Sequence, residues 1–167
     1  MSNMTTTFPQ TYQIQFSFQF EGTQRLLALA RALPDDVYRA KKGYSHDSIH
    51  NTFFHLLSAD YLWRNAIANM PILFPEPEDN TSIDAIAALL ETERKGWQEL
   101  LATFDEATLL GTFKSDSPIG PRVIPLWRTL QHVVLHTMQH QTEIARMLTE
   151  AGLAPGDIDF FWDEAAT

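Results

Sequence analysis

The sequence predicts an all-α protein, a four-helix bundle with a long loop before its last helix. Three observations carry that expectation. Apolar residues recur at helical spacing in four long stretches, turn signals separate the stretches, and no run alternates as a strand would.

The first helix is expected over about 12–33, where Phe16, Phe20, Thr23, Leu27 and Ala30 form a stripe. Pro34, Asp35 and Asp36 stop it, and residues 1–9 are expected to be flexible. The second begins at Asp47 or Ser48, either of which can cap it, and ends near Met70 ahead of Pro71. Pro71, Pro75 and Pro77 cannot continue a helix. The third spans roughly 82–104, with Ser82 as N-cap and Ile86, Leu89, Leu90, Trp97, Leu100 and Leu101 as its apolar face. Residues 111–125 hold two Gly and three Pro, which reads as a long irregular loop or a short hairpin. Loops of that length in small domains often carry function. The fourth helix, about 126–151, ends at Gly152, a natural left-handed terminator. The tail Asp157-Ile158-Asp159-Phe160-Phe161-Trp162 is aromatic enough to be expected to dock on the bundle.

At 167 residues and 44% apolar content, a single domain with a substantial core is the default. A formal charge of −9 disfavours nucleic-acid phosphates as partners. With no Cys, disulfides, thiolate ligands and a Cys nucleophile are excluded, so histidine and carboxylate must carry any metal chemistry. The first residues lack a basic, then apolar, leader pattern, and no apolar run reaches the length of a membrane span. A soluble cytoplasmic protein is expected.

The histidines are the most informative residues. His132, His136 and His140 recur every fourth position near the centre of the last helix, and His55 interrupts the apolar pattern of the second. At about 100° per residue, His136 and His140 fall within the stripe of Leu126, Leu130, Val133, Ile144, Met147 and Leu148. His55 shares a face with Asn51, Ala59, Leu62 and Ala66, so it is also expected to point inward. One such residue alone would read as an ordinary core histidine bonded to a carbonyl. Three together read as the ligands of one cation, because buried imidazoles need partners and a shared ion satisfies all three. His132, nearer the edge of the stripe, is expected to be a supporting group behind the ligands or an exposed ring, with ligation as the alternative. His46 and His50 are expected to be solvated, since His46 precedes the cap and His50 points away from His55.

The run Leu130-Gln131-His132-Val133-Val134-Leu135-His136-Thr137-Met138-Gln139-His140-Gln141-Thr142-Glu143-Ile144 resembles the last-helix pattern of the DinB/YfiT-like superfamily of metalloenzymes. So do Gln24 to Pro34, Ser48 to Trp63, and the closing Gly152 with Asp157-Ile158-Asp159-Phe160. The likeness covers nearly the whole chain. It implies that the metal ligands are His55, His136 and His140, the same three that helix geometry selects. The chain departs from the family where Gln141, Thr142 and Glu143 replace the usual Arg-Gly-Gln. Glu143 lies at the edge of the inward stripe and is a candidate catalytic group.

Three imidazoles with open positions describe a catalytic site, and one divalent ion, Zn or Ni, is expected. The resemblance implies a thiol-dependent S-transferase or isomerase acting on a small electrophile, and without Cys the low-molecular-weight thiol must be a diffusible cosubstrate. A metal-dependent hydrolase with Glu143 or a loop carboxylate as general base is the alternative. A third reading is a stress-associated protein that binds a metal or small ligand without turnover. Arg122 in the long loop is a candidate for steering an anionic substrate, and residues 71–80 and 111–125 are the expected rims of the pocket. Trp63 and Tyr61 could line the pocket, although aromatic residues at helical spacing are usually core. The resemblance also implies a homodimer.

Overall fold

The computed structural model describes residues 6–73, 82–117 and 120–160. Four long helices, α1 (Phe8–Ala30), α3 (Ile49–Ile67), α4 (Ile83–Leu101) and α6 (Leu126–Glu150), form the predicted bundle. Each packs on two others, so the order round the bundle is α1, α4, α3, α6.

Helix α1 begins earlier than expected because Thr7, Pro9 and Gln10 build its start. The Gln10 side chain accepts from the Thr7 N–H at 2.8 Å while the Thr7 hydroxyl caps Gln10, a capping box with Pro inside the first turn. Ser48 rather than Asp47 caps α3, accepting from the Asn51 N–H at 3.0 Å, and Ser82 caps α4. Every residue of the predicted α1 stripe is buried, as are Ile86, Leu90, Trp97 and Leu101 of α4. Leu89, expected on the same face, is 37% exposed.

Two short helices escape the sequence pattern: α2 (Asp35–Tyr38) and α5 (Glu106–Leu110). Each is about one turn long, too short for an apolar period to show. Residues 112–125 take the hairpin option. Strands β1 (Thr112–Ser117) and β2 (Gly120–Pro125) pair antiparallel, Thr112 opposite Pro125 and Ser115 opposite Arg122. The tail docks on α1 as expected: the Arg25 guanidinium donates to the Asp157 carbonyl at 2.9 Å, and Phe160 packs edge-on against Phe18. Residues 1–5 of the expected flexible start, Phe161 and Trp162 of the tail, and residues 74–80 of the expected rim lie outside the described residues.

A buried ion pair ties α3 to α4. The Arg64 guanidinium donates through Nε and Nη2 to both Glu93 oxygens, at 2.8 and 3.0 Å. Gly96 makes room for it, since a Cβ there would lie 2.8 Å from Arg64 Nε. Asp60 is only 1% exposed, and burial, then the Glu93 charge, pushes its carboxyl well above the usual range. Among the described residues, no helix is long and apolar enough to cross a membrane.

Candidate metal centre

Antiparallel packing of α3 on α6 brings His55 beside His136 and His140. The Nε2 atom of His136 lies 3.2 Å from Nε2 of His55 and 3.2 Å from Nε2 of His140. Two ligands of one ion at about 2.0–2.1 Å and a tetrahedral angle stand roughly 3.3 Å apart, so the spacing fits a shared cation. Ring centroids of the three histidines are 4.4, 4.6 and 5.2 Å apart. Rings bound tetrahedrally to one ion would stand roughly 5.2 Å apart between centroids, which the His55–His136 pair matches and the two pairs with His140 fall below.

Hydrogen bonding alone does not account for this convergence. A neutral imidazole nitrogen carries either a proton or a lone pair in one direction, so His136 Nε2 cannot donate to one neighbour and accept from the other. A cation engages all three lone pairs at once. The rings are also ready to bind: burial first, then the neighbouring imidazoles, lower the pKa of both His55 and His136 to about 4. Both are therefore neutral near pH 7, as metal ligation requires.

His140 is oriented from behind. Its Nδ1 lies 2.8 Å from Glu143 Oε2, and because a carboxylate only accepts, Nδ1 carries the proton and Nε2 faces the cluster. Burial pushes the Glu143 carboxyl up, but hydrogen bonds from Ser45, His140 and Gln139 outweigh it and hold the group below its usual range. Glu143 thus sits on the far side of His140 from the converging nitrogens.

Solvent access differs from the sequence expectation. His140 is 4% exposed, but His55 and His136 are half-buried, and Asn51 and Leu62 on the face of His55 are exposed. The side of α3 that turns to the core carries Phe53, Leu56 and Asp60 instead. His55 and His136 therefore line the rim of the α3–α6 seam, with His140 buried behind them. Small residues on the His55 face look apolar in the sequence, yet they mark the boundary with solvent.

Two histidines expected to be solvated are not. His50 is 4% exposed, covered edge-on by Tyr38 of the unpredicted α2 at 5.5 Å between ring centroids. His46 is half-buried and stacks on His55 with centroids 3.6 Å apart and an interplanar angle of 18°. Ligand atoms of His46, His55 and His140 lie within 4.8 Å of one another, making a second trio that overlaps the first. His136 joins this set through its Nε2 contacts with His55 and His140, so four imidazoles meet at one place on the seam.

The loop that delivers His46 is held in an uncommon backbone conformation. Gly43, Ser45 and Asp47 have φ of 73°, 54° and 72°. A left-handed non-glycine residue costs on the order of 1 kcal/mol or more, so surrounding contacts must impose it. The Lys42 N–H donates to the Asp47 carbonyl and the Gly43 N–H to the Asp47 carboxylate. Tyr44 donates to Glu150 at 2.9 Å and lies under Arg146, while Ser45 donates to Glu143. The turn residues Gly43, Ser45 and Asp47 just ahead of the Ser48 cap were the signal that the chain folds back over α3.

His132 is exposed, its ring edge-on to Trp63 at 5.3 Å and 5.9 Å from that of His136. Trp63 continues to Phe113 of the hairpin at 6.4 Å, so a row of rings runs outward from the cluster. Arg122 is exposed on β2, and among the described residues no hydrogen bond or ion pair ties it to the histidines. A cleft of about 440 Å³ lies elsewhere, between α1 and the C-terminal segment, and none of the histidines lines it.

Fold and site together define a helical bundle whose seam carries a histidine cluster able to hold a divalent ion. The DinB family model matches residues 1–167, the whole chain, and the chain belongs to the DinB family. No curated protein matches it.

Proposed function

We propose that the chain is a metal-dependent enzyme, an S-transferase or isomerase that brings a diffusible low-molecular-weight thiol to a small electrophile. The observation that carries this reading is the convergence of the His55 and His140 Nε2 atoms on that of His136, at 3.2 Å each, on a rim open to solvent. A zinc or nickel ion held there supplies Lewis acidity that makes a thiol or a water acidic near neutral pH. With no Cys in the chain, any thiol has to come from solution. His55, His136 and His140 hold the ion, and Glu143 fixes the tautomer of His140 through its Nδ1 proton. The rings of His132, Trp63 and Phe113 beside His136 give an apolar electrophile a surface to lie against.

Hydrolysis ranks second. A general base must reach the attacking water, and the Glu143 carboxylate is engaged by His140 Nδ1 and Ser45 on the outer side of the ring. Titrating Co²⁺-substituted protein with low-molecular-weight thiols tests the proposal. A thiolate charge-transfer band that saturates at one equivalent of site is expected, and no spectral response to any thiol would overturn it. Hydrolysis of simple esters or amides by metal-loaded protein, with no thiol response, would favour the alternative.

A further inference from the structure

We propose that His46 is a fourth, exchangeable ligand of the metal centre: it closes the position a substrate needs and gives way when an outside ligand enters. The inference rests on reading the cluster as a metal site, and it concerns a residue outside the trio that helix geometry selects.

Position comes first. The His46 ring lies against His55 and 5.1 Å from the ring of His140, with a ligand atom within 4.8 Å of those on both neighbours. An imidazole placed so near two members of the trio can join them by a change of its side-chain torsions alone. The 3.6 Å stack on His55 is closer than two rings bound to one ion would stand, so His46 rests beside the site and must turn to enter it. Such a ligand is held less firmly than the other three, which is what exchange requires.

Its mounting fits that role. The backbone of residues 43–47 is pinned by Tyr44 to Glu150, by Ser45 to Glu143, and by the Asp47 carbonyl and carboxylate to the N–H groups of Lys42 and Gly43. These contacts fix the Cα of His46 and leave its side-chain torsions as the freedom that remains. The three trio ligands, by contrast, stand on long helices. Glu143 accepts from both Ser45 of this loop and His140 of the trio, so loop position and His140 orientation share one carboxylate.

The test uses Co²⁺ and azide, neither of which depends on the thiol chemistry. Co²⁺-loaded wild-type protein is expected to show hyperfine-shifted imidazole N–H signals from four rings, and His46→Ala from three. Azide, which must displace His46 in the wild type, should bind His46→Ala about tenfold more tightly in a visible-absorption titration, because the competing closed state is gone. His46→Gln should behave like His46→Ala, guarding against a folding artefact in either variant. Three ring signals in the wild type with unchanged azide affinity in both variants would overturn the proposal while leaving the metal centre intact. Failure of the wild type to take up Co²⁺ would overturn this proposal and the metal centre together.

Discussion

The Nδ1 atom of His140 and the carboxylate of Glu143 are 2.8 Å apart, and the same carboxylate oxygen accepts from Ser45. This pair sets which nitrogen of His140 faces the cluster, and it raises the basicity of that nitrogen toward a cation. Glu143→Gln keeps the shape and an acceptor oxygen but removes the charge. Metal affinity is expected to fall about 10- to 100-fold in competition with a chromophoric chelator. An unchanged affinity would show that the carboxylate does not act through His140.

Acid should unfold the metal-free protein early. His55 and His136 have folded pKa values of about 4, below the ordinary 6.5, chiefly because of burial. Between those values the unfolded chain binds more protons than the folded one, so stability falls as pH falls through the window from about 6.5 to about 4. Thermal melts of the metal-free protein across that range should show a decline that is shallower in His55→Leu. Equal slopes in the two proteins would contradict the assignment.

Asp60 acts in the opposite direction. Its folded pKa is raised, so the folded chain binds more protons than the unfolded one above the ordinary value of 3.8, and its contribution to stability is lost as pH rises. Asp60→Asn removes the titration. The variant should melt several degrees higher than the parent at pH 8 and no higher at pH 4. A lower melting temperature at pH 8 would mean that the carboxylate is paired and ionised.

Much of the fold is legible in the sequence because it rests on local signals. Ser48, Ser82 and Gly152 mark helix ends, and the stripes of α1 and α6 are buried as the period predicts. His55, His136 and His140 could be singled out because two lie on one helix face and the third interrupts an apolar pattern. What the sequence hid depends on tertiary contact. His46 precedes the helix cap and looks solvated until a loop pinned to Glu143 and Glu150 folds it onto His55. His50 looks exposed until α2, a single turn with no readable period, covers it. Gln10, three residues after Thr7, was a readable capping box, and it explains the earlier start of α1.

Gly96 is a packing requirement of the buried ion pair. A Cβ at that position would lie 2.8 Å from Arg64 Nε and 2.9 Å from Cζ, so the guanidinium that pairs with Glu93 would have to shift. Gly96→Ala should cost about 1–3 kcal/mol in urea denaturation despite the better helix propensity of Ala. A variant more stable than the parent would show that Arg64 can move aside freely.

The central claim is that His55, His136 and His140 hold one divalent ion. Elemental mass spectrometry on untagged protein purified without added metal, alongside His136→Ala, tests it most directly. Near-stoichiometric zinc or nickel that is lost in the variant, with the far-ultraviolet circular dichroism of a folded bundle retained, is the predicted result. A parent protein that carries no metal and takes up neither ion on reconstitution would contradict the account and leave the converging histidines as packing residues of the α3–α6 seam.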